Sequence, residues 1–380
     1  MIRKDYLAFG KPNFGEEEIE AVTQVMRSGW VGMGPQTIAF ERELCQFLGS
    51  PHVVAVNSCT SALFLSLLIL GVGPGDEVIC PSLTWCATAN VAFYLGAKPV
   101  FCDVDPDTLC VTPELLQEKL TPRTKAVMVV HFGGLAVEVE PIRALLPDHV
   151  AIVEDAAHAV GARFENGQPV GSSGHLACLS FYANKNLSTG EGGAIAVADE
   201  EVAERLRSLR QNAMPSDAWK RFSYPTSVPN CELSELGYKM NYTDLQASIG
   251  RIQLRRQPEF SAVRLNIAKG YYEELQTVTP PLRFQKGILH PNHARHLFIV
   301  RVAEGRRSRD DLLLALRARN IGASIHYAPL HRMPLYSVHG QPALPNTESV
   351  SKQIMTLPIS ASMEEDDADY VVKQIKELMG

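Results

Sequence analysis

Between residues 50 and 200 the chain alternates short apolar runs with longer amphipathic or apolar stretches. "HVVAVN" (52–57) reads as a buried strand, and "SALFLSLLIL" (61–70) as a helix ended by Gly71. The same alternation continues with a strand at 77–81, a helix at 88–96, a strand at 99–104 and a helix near 113–120. It closes with a strand at 126–131, a helix at 141–146 and a strand at 150–155. Strands that alternate with helices at this spacing predict an α/β fold with a mostly parallel sheet covered on both faces. Ligands in such sheets collect beyond the carboxyl ends of the strands. That rule directs attention to Asn57-Ser58-Cys59-Thr60, Ser82 to Trp85, His131 and Glu154-Asp155.

Past residue 205 the pattern loosens. A long helical region opens at "YTDLQASIGRIQLRR", where Thr243 and Gln246 have capping-box spacing. Beyond about 260, "HLFIVRV" (296–302), a helix at 308–320, "GASIHY" (322–327) and a C-terminal helix at 363–379 suggest a compact α+β unit. A soft boundary at 245–260 divides the chain into a large α/β domain, residues 1–250 with the N-terminal segment, and a small domain, 251–380. At 380 residues two domains are expected.

Composition narrows the function classes. A net charge of −6 argues against wholesale nucleic-acid binding, while leaving room for a local basic pocket. The longest apolar run, residues 62–73, is too short to span a bilayer, and the first residues lack a signal-peptide core. Eight cysteines without a C-x-x-C pair, most of them in apolar segments, suit a reduced, cytoplasmic protein. The eleven histidines have no metal-binding spacing, so no metal is expected.

The chemistry is expected from "FYANKNLSTGEGGAIAV" (181–197), where Lys185 follows an apolar run and precedes a tight turn into the strand "GAIAV". A lysine held there loses solvation, its pKa falls, and the free amine becomes available for Schiff-base chemistry. Asp155 ends an apolar strand, as either a helix-capping aspartate or a ligand-facing carboxylate. "NSCTSAL" joins a strand to a helix through hydroxyl residues that suit an N-cap or an anion site. Trp85 suits packing or a flat ligand; His131 and His158 suit structural hydrogen bonds. Together these four features supply what pyridoxal phosphate requires: a lysine for the aldehyde, an acid for the ring nitrogen, a phosphate cup and a flat neighbour.

In order and spacing, "GDEVICPSLTWCATANVAFYLGAKPVFCDVDPDTL", "LTPRTKAVMVVHFGG", "VEDAAHAVGA", "SFYANKNLSTGEGG", "GYKMNYTDLQASIG" and "HYAPLHRMPLY" resemble the DegT/DnrJ/EryC1/StrS sugar aminotransferases. The resemblance implies the fold-type-I architecture of pyridoxal phosphate enzymes. It implies Lys185 as the covalent anchor, Asp155 on the pyridinium nitrogen and His158 near the phenolic oxygen, where many relatives have glutamine. Cys59 (through its backbone N–H), Thr60 and Ser180 would hold the phosphate, and Trp85 would stack on the ring. Asn241 would reach the phosphate of a neighbouring subunit, which implies a homodimer, and His326 would line the substrate pocket.

The implied reaction moves an amino group from glutamate, leaving 2-oxoglutarate, to a nucleotide-linked keto sugar. It follows ping-pong kinetics, passes through pyridoxamine phosphate and favours C4 over C3. Such reactions serve amino-sugar or surface-polysaccharide (lipopolysaccharide) synthesis. Alternatives are a keto-cyclitol aminotransferase, a sugar dehydratase of the same fold (in which histidine replaces the lysine) and an inactive regulatory relative. Lys220, Arg221 and Lys239 are candidates for the diphosphate or ordinary surface charges.

Overall fold

The structure is a computed structural model and describes residues 2–214, 233, 235–303, 305, 307–337 and 342–380. Its centre is a seven-stranded sheet in the order β1-β7-β6-β5-β4-β2-β3. The strands are β1 (His52–Val56), β2 (Glu77–Pro81), β3 (Lys98–Cys102), β4 (Thr124–Val130), β5 (Ala151–Asp155), β6 (Leu176–Ser180) and β7 (Gly193–Val197). β7 pairs antiparallel with both β1 and β6, and every other pairing is parallel. Six strands therefore run the same way and end at one edge. The mostly parallel sheet expected from the apolar runs is present.

Helices cover both faces. α1 (Glu16–Ser28) and α2 (Pro35–Leu48) precede the sheet. α3 (Cys59–Ile69), α4 (Ala87–Tyr94), α5 (Pro113–Gln117), α6 (Val139–Leu145) and α7 (Glu200–Leu209) follow along the chain. α3 is apolar all round, and Ser61 to Leu67 are buried in it, as suits a helix packed between the sheet and other helices. One apolar core, with Phe40, Leu44, Val53, Val129 and Phe181, fills one face of the sheet. The other, with Leu63, Leu67, Val78, Met128 and Ile195, fills the opposite face.

The helix Asp244–Arg255 opens with the expected capping box of Thr243 and Gln246, and is followed after Arg256 by the helix Gln257–Leu275. A third core, with Tyr271, Phe298, Leu312, Met355 and Val371, surrounds a second, antiparallel sheet. Its order is β10 (Ile354–Leu357), β9 (Phe298–Arg301) and β8 (Arg283–Phe284). Residues 322–327 form no strand; Ser324 makes a single bridge to Thr356, and β10 supplies the strand beside β9 instead. The helix expected near 113–120 stops at Gln117, and that expected at 308–320 spans Arg309–Arg317. No described helix is long and apolar enough to cross a membrane.

Candidate active site

The carboxyl ends of β1, β2, β4, β5 and β6 face a cavity of about 470 Å³. Ser58, Cys59 and Thr60 follow β1, Thr84 and Trp85 follow β2, Asp155 ends β5, and Ser180 ends β6; all line it. Lys185 enters from the β6–β7 loop, and His158, His326 and Tyr327 close the remaining wall. Eight of the nine residues to which the resemblance gives a cofactor or substrate role are thus brought together. The ninth, Asn241, is paired through its backbone with Val56 and does not line the cavity of its own chain. Lys239 is exposed, and Lys220 and Arg221 lie outside the described residues.

The lysine is held from two sides. Its backbone N–H donates to the Tyr182 carbonyl at 2.9 Å. Its Nζ lies 3.3 Å from His296 Nε2. Burial lowers the amine pKa from 10.5 to about 8, against smaller opposing effects of Cys59 and Asp155. An amine with that value is about one-tenth unprotonated at pH 7 and about half unprotonated at pH 8.

Asp155 is 6% exposed, and burial raises its pKa. Four groups oppose that rise by favouring the carboxylate, His131 with the smallest effect. Thr88 Oγ1 donates to Oδ2 at 2.7 Å, the Ala157 N–H donates to Oδ1 at 3.2 Å, and Lys185 adds its charge. Thr84 lies 2.9 Å from Thr88, so the two hydroxyls form a chain behind the carboxylate. The Asp155 side chain thus serves neither as an N-cap nor in a surface ion pair.

At the start of α3, the Ser58 side chain accepts from Ser61 N–H. The Cys59 and Thr60 N–H groups, in the first turn, have no carbonyl four residues back within the helix. Gly193, the first residue of β7, presses against this turn: a Cβ there would lie 2.6 Å from the Cys59 nitrogen. The glycine lets two backbones meet and leaves the helix N-terminus open toward the cavity, a geometry suited to an anion.

Histidines surround the amine. Burial holds His158 well below its ordinary pKa and lowers His326 to about 4, with Lys185 contributing to both. His158 Nδ1 accepts from Gly133 N–H at 3.3 Å, so in the neutral ring Nε2–H points to the Tyr327 hydroxyl at 3.1 Å. His326 Nδ1 lies 2.9 Å from Thr356 Oγ1. His131 is structural: Nδ1 accepts from Val137 N–H and Nε2 meets the buried Glu154 carboxylate at 2.7 Å. Trp85 is 60% exposed at the mouth, its ring centroid 5.8 Å from that of Tyr327.

Thr88, His296 and Tyr327 were not singled out in the sequence. Thr88 had a signal, being a hydroxyl four residues after Thr84 in a mostly apolar helix. His296 had none, because it stands 111 residues from Lys185 at the edge of a strand.

A desolvated amine, a hydrogen-bonded carboxylate and an open helix N-terminus on one cavity fit a pyridoxal phosphate enzyme. The cofactor's aldehyde, ring nitrogen and phosphate require those three groups.

The chain belongs to the DegT/DnrJ/EryC1/StrS aminotransferase family, which matches residues 12–376. It is 40% identical over 387 residues to the spore coat polysaccharide biosynthesis protein SpsC of Bacillus subtilis (strain 168), covering 99% of this chain and 98% of SpsC. The fold is shared with the aminotransferase TlmJ of Streptoalloteichus hindustanus, at TM-score 0.90 and 37% identity over 98% of each chain. It is also shared with Spr1654 of Streptococcus pneumoniae, whose PLP form matches at TM-score 0.90 and 29% identity over 98% of each chain. A PMP form of Spr1654 matches equally well. The protein is a PLP-dependent aminotransferase with the fold-type-I architecture.

Proposed function

We propose that this enzyme transfers the amino group of glutamate to a nucleotide-linked keto sugar, with a ketone at C4 favoured over C3, for amino-sugar or surface-polysaccharide synthesis. The observation that carries the reading is the meeting of Lys185, Asp155 and the start of α3 on one cavity. A carbohydrate acceptor is supported by the similarity to SpsC, a polysaccharide biosynthesis protein.

Pyridoxal phosphate, when bound, supplies an electron sink for the bond broken at the donor's α-carbon. Lys185 anchors the coenzyme through its amine. Once released, that amine moves the proton from the donor α-carbon, as a base whose pKa burial has brought to about 8. Asp155, as a carboxylate aligned by Thr88 and Ala157, pairs with the protonated ring nitrogen. The Cys59 N–H, Thr60 and Ser180 would hold the phosphate, and Trp85 would stack on the ring. His158, bonded to Tyr327, would lie near the phenolic oxygen, and His326 would line the sugar pocket. Asn241 serves the site of a second copy in a homodimer.

The test is direct. The purified enzyme should be yellow, glutamate should bleach the visible band, and a nucleotide keto sugar should restore it with an aminated product visible by mass spectrometry. Keto-cyclitols in the same panel give the contrary result: restoration by these alone would overturn the sugar-nucleotide reading.

A further inference from the structure

His296 is buried beside the cavity, 3% exposed, and plays no part in the roles assigned above. Its environment fixes which nitrogen carries the proton. The Asn186 amide nitrogen meets two backbone carbonyls, Ala294 O at 2.7 Å and Val160 O at 3.4 Å. Carbonyl oxygens only accept, so the amide NH2 must face them and the amide oxygen must face the other way. That oxygen lies 3.3 Å from His296 Nδ1, which therefore donates. The neutral ring then has a bare Nε2, and this atom lies 3.3 Å from the Lys185 amine. Burial and the nearby Lys185 charge hold the ring well below its ordinary pKa, so it stays neutral. The ring also packs against that of His158, tilted by 36° at 4.5 Å between centroids, which limits its rotation.

We infer that His296, oriented by Asn186, is a positioning residue that receives one N–H of the free Lys185 amine and so turns its lone pair toward the reacting carbon. This rests on the proposal that Lys185 is the coenzyme anchor and proton carrier. The need arises because the amine must be released, remain near its target and return within each catalytic cycle. An unheld lysine side chain has many rotamers, and restricting them costs conformational entropy. An acceptor on the far side of Nζ selects the productive rotamers without placing a charge beside the amine. The other titratable groups around Lys185 are Asp155 from β5, Cys59 from α3, and His158, His326 and Tyr327 from the opposite wall. Among these named groups, His296 alone has a hydrogen-bond contact with Nζ.

Three measurements test the inference. In the wild-type apoenzyme, nitrogen NMR of labelled histidine, with His296 assigned from the His296→Gln spectrum, should show the Nδ1–H tautomer at pH 7. A proton on Nε2 would overturn the proposal even if no variant folded. Second, dinitrophenylation of apo-Lys185 by fluorodinitrobenzene, followed across pH by peptide mass spectrometry, should have its midpoint near 8 in the wild type.

His296→Phe keeps the ring but removes the acceptor that favours the ammonium, so its midpoint should fall by about half a unit or more. Third, the single-turnover rate with glutamate should fall about tenfold in His296→Phe, with glutamate affinity within about threefold, because a proton carrier is misplaced. His296→Gln, whose side-chain oxygen can accept, should recover most of both effects. Equal losses of thermal stability in the two variants, with midpoint and rate unmoved, would assign His296 a purely structural role and overturn the inference. Borohydride labelling of a residue other than Lys185 would instead remove the reading on which it rests.

Discussion

Lys185 and Asp155 are both kept in surroundings that disfavour their charge. For Lys185 the folded-state pKa, about 8, lies below the ordinary 10.5. Between those values the unfolded chain binds more protons, so the lysine's cost to stability is full below pH 8 and is relieved as pH rises toward 10.5. Lys185→Met should therefore make the apoprotein more stable at pH 7, by on the order of 2 kcal/mol, with the gain shrinking above pH 8. Chemical denaturation at a series of pH values measures it; an unchanged or lower stability at pH 7 would mean the amine is not desolvated.

For Asp155, removing the Thr88 bond takes away a group that favours the carboxylate. Thr88→Val should move the acid limb of kcat/KM to higher pH, whereas Asp155→Ala should lower kcat by about a hundredfold or more. Lys185 and Asp155 were legible because each breaks an apolar run at a place where charge is unexpected. Thr88 and His296 act through partners far along the chain, and that information exists only after folding.

The start of α3 and the start of β7 form one device. Gly193 lets the strand lie against the helix turn, where a Cβ would meet Ser58 and Cys59 backbone atoms at 2.6–2.7 Å. Backbone cannot yield as a flexible side chain does, so Gly193→Ala should raise the Kd for pyridoxal phosphate about tenfold or more, read by absorbance titration. An unchanged Kd would mean the α3 turn does not bind the phosphate. Nearby, Arg210 after α7 pairs with Glu41 of α2, and both also bond the backbone of Ala55 in β1. Glu41→Ala would leave a 2%-exposed guanidinium without its acid, at a cost of about 3–5 kcal/mol in urea unfolding.

The strands of the large sheet were readable because buried parallel strands are short continuous apolar runs. β10 was not: "IMTL" is four residues long, and its strand character comes from pairing with β9. "GASIHY" had the better strand composition, yet its residues turn toward the cavity, where His326 and Tyr327 form the wall.

Segments far apart in the chain are tied together by carboxylates acting at a distance. Asp103, just past β3, accepts from the Asn346 and Thr347 N–H groups at the start of the helix Pro345–Gln353. Asp244 does the same for α2 through Gly34 and Thr37. Such caps between distant segments are invisible in sequence, which is why the alternating pattern revealed the architecture but not how its parts are joined.

Asn241 lies off its own cavity, in keeping with a role in a second copy's site. Mixing Lys185→Ala with Asn241→Asp subunits tests this. In a dimer with shared sites, each mixed pair has one intact site, so about a quarter of wild-type activity should return on random reassembly. No recovery, despite subunit exchange verified by mass and with each variant inactive alone, would assign Asn241 to the site of its own chain.

The chemistry turns on one amine. Reducing the yellow enzyme with borohydride and sequencing the labelled peptide by mass spectrometry should place the pyridoxyl group on Lys185 of "YANKN". A label on another lysine, or none on a protein that still turns over, would contradict the account.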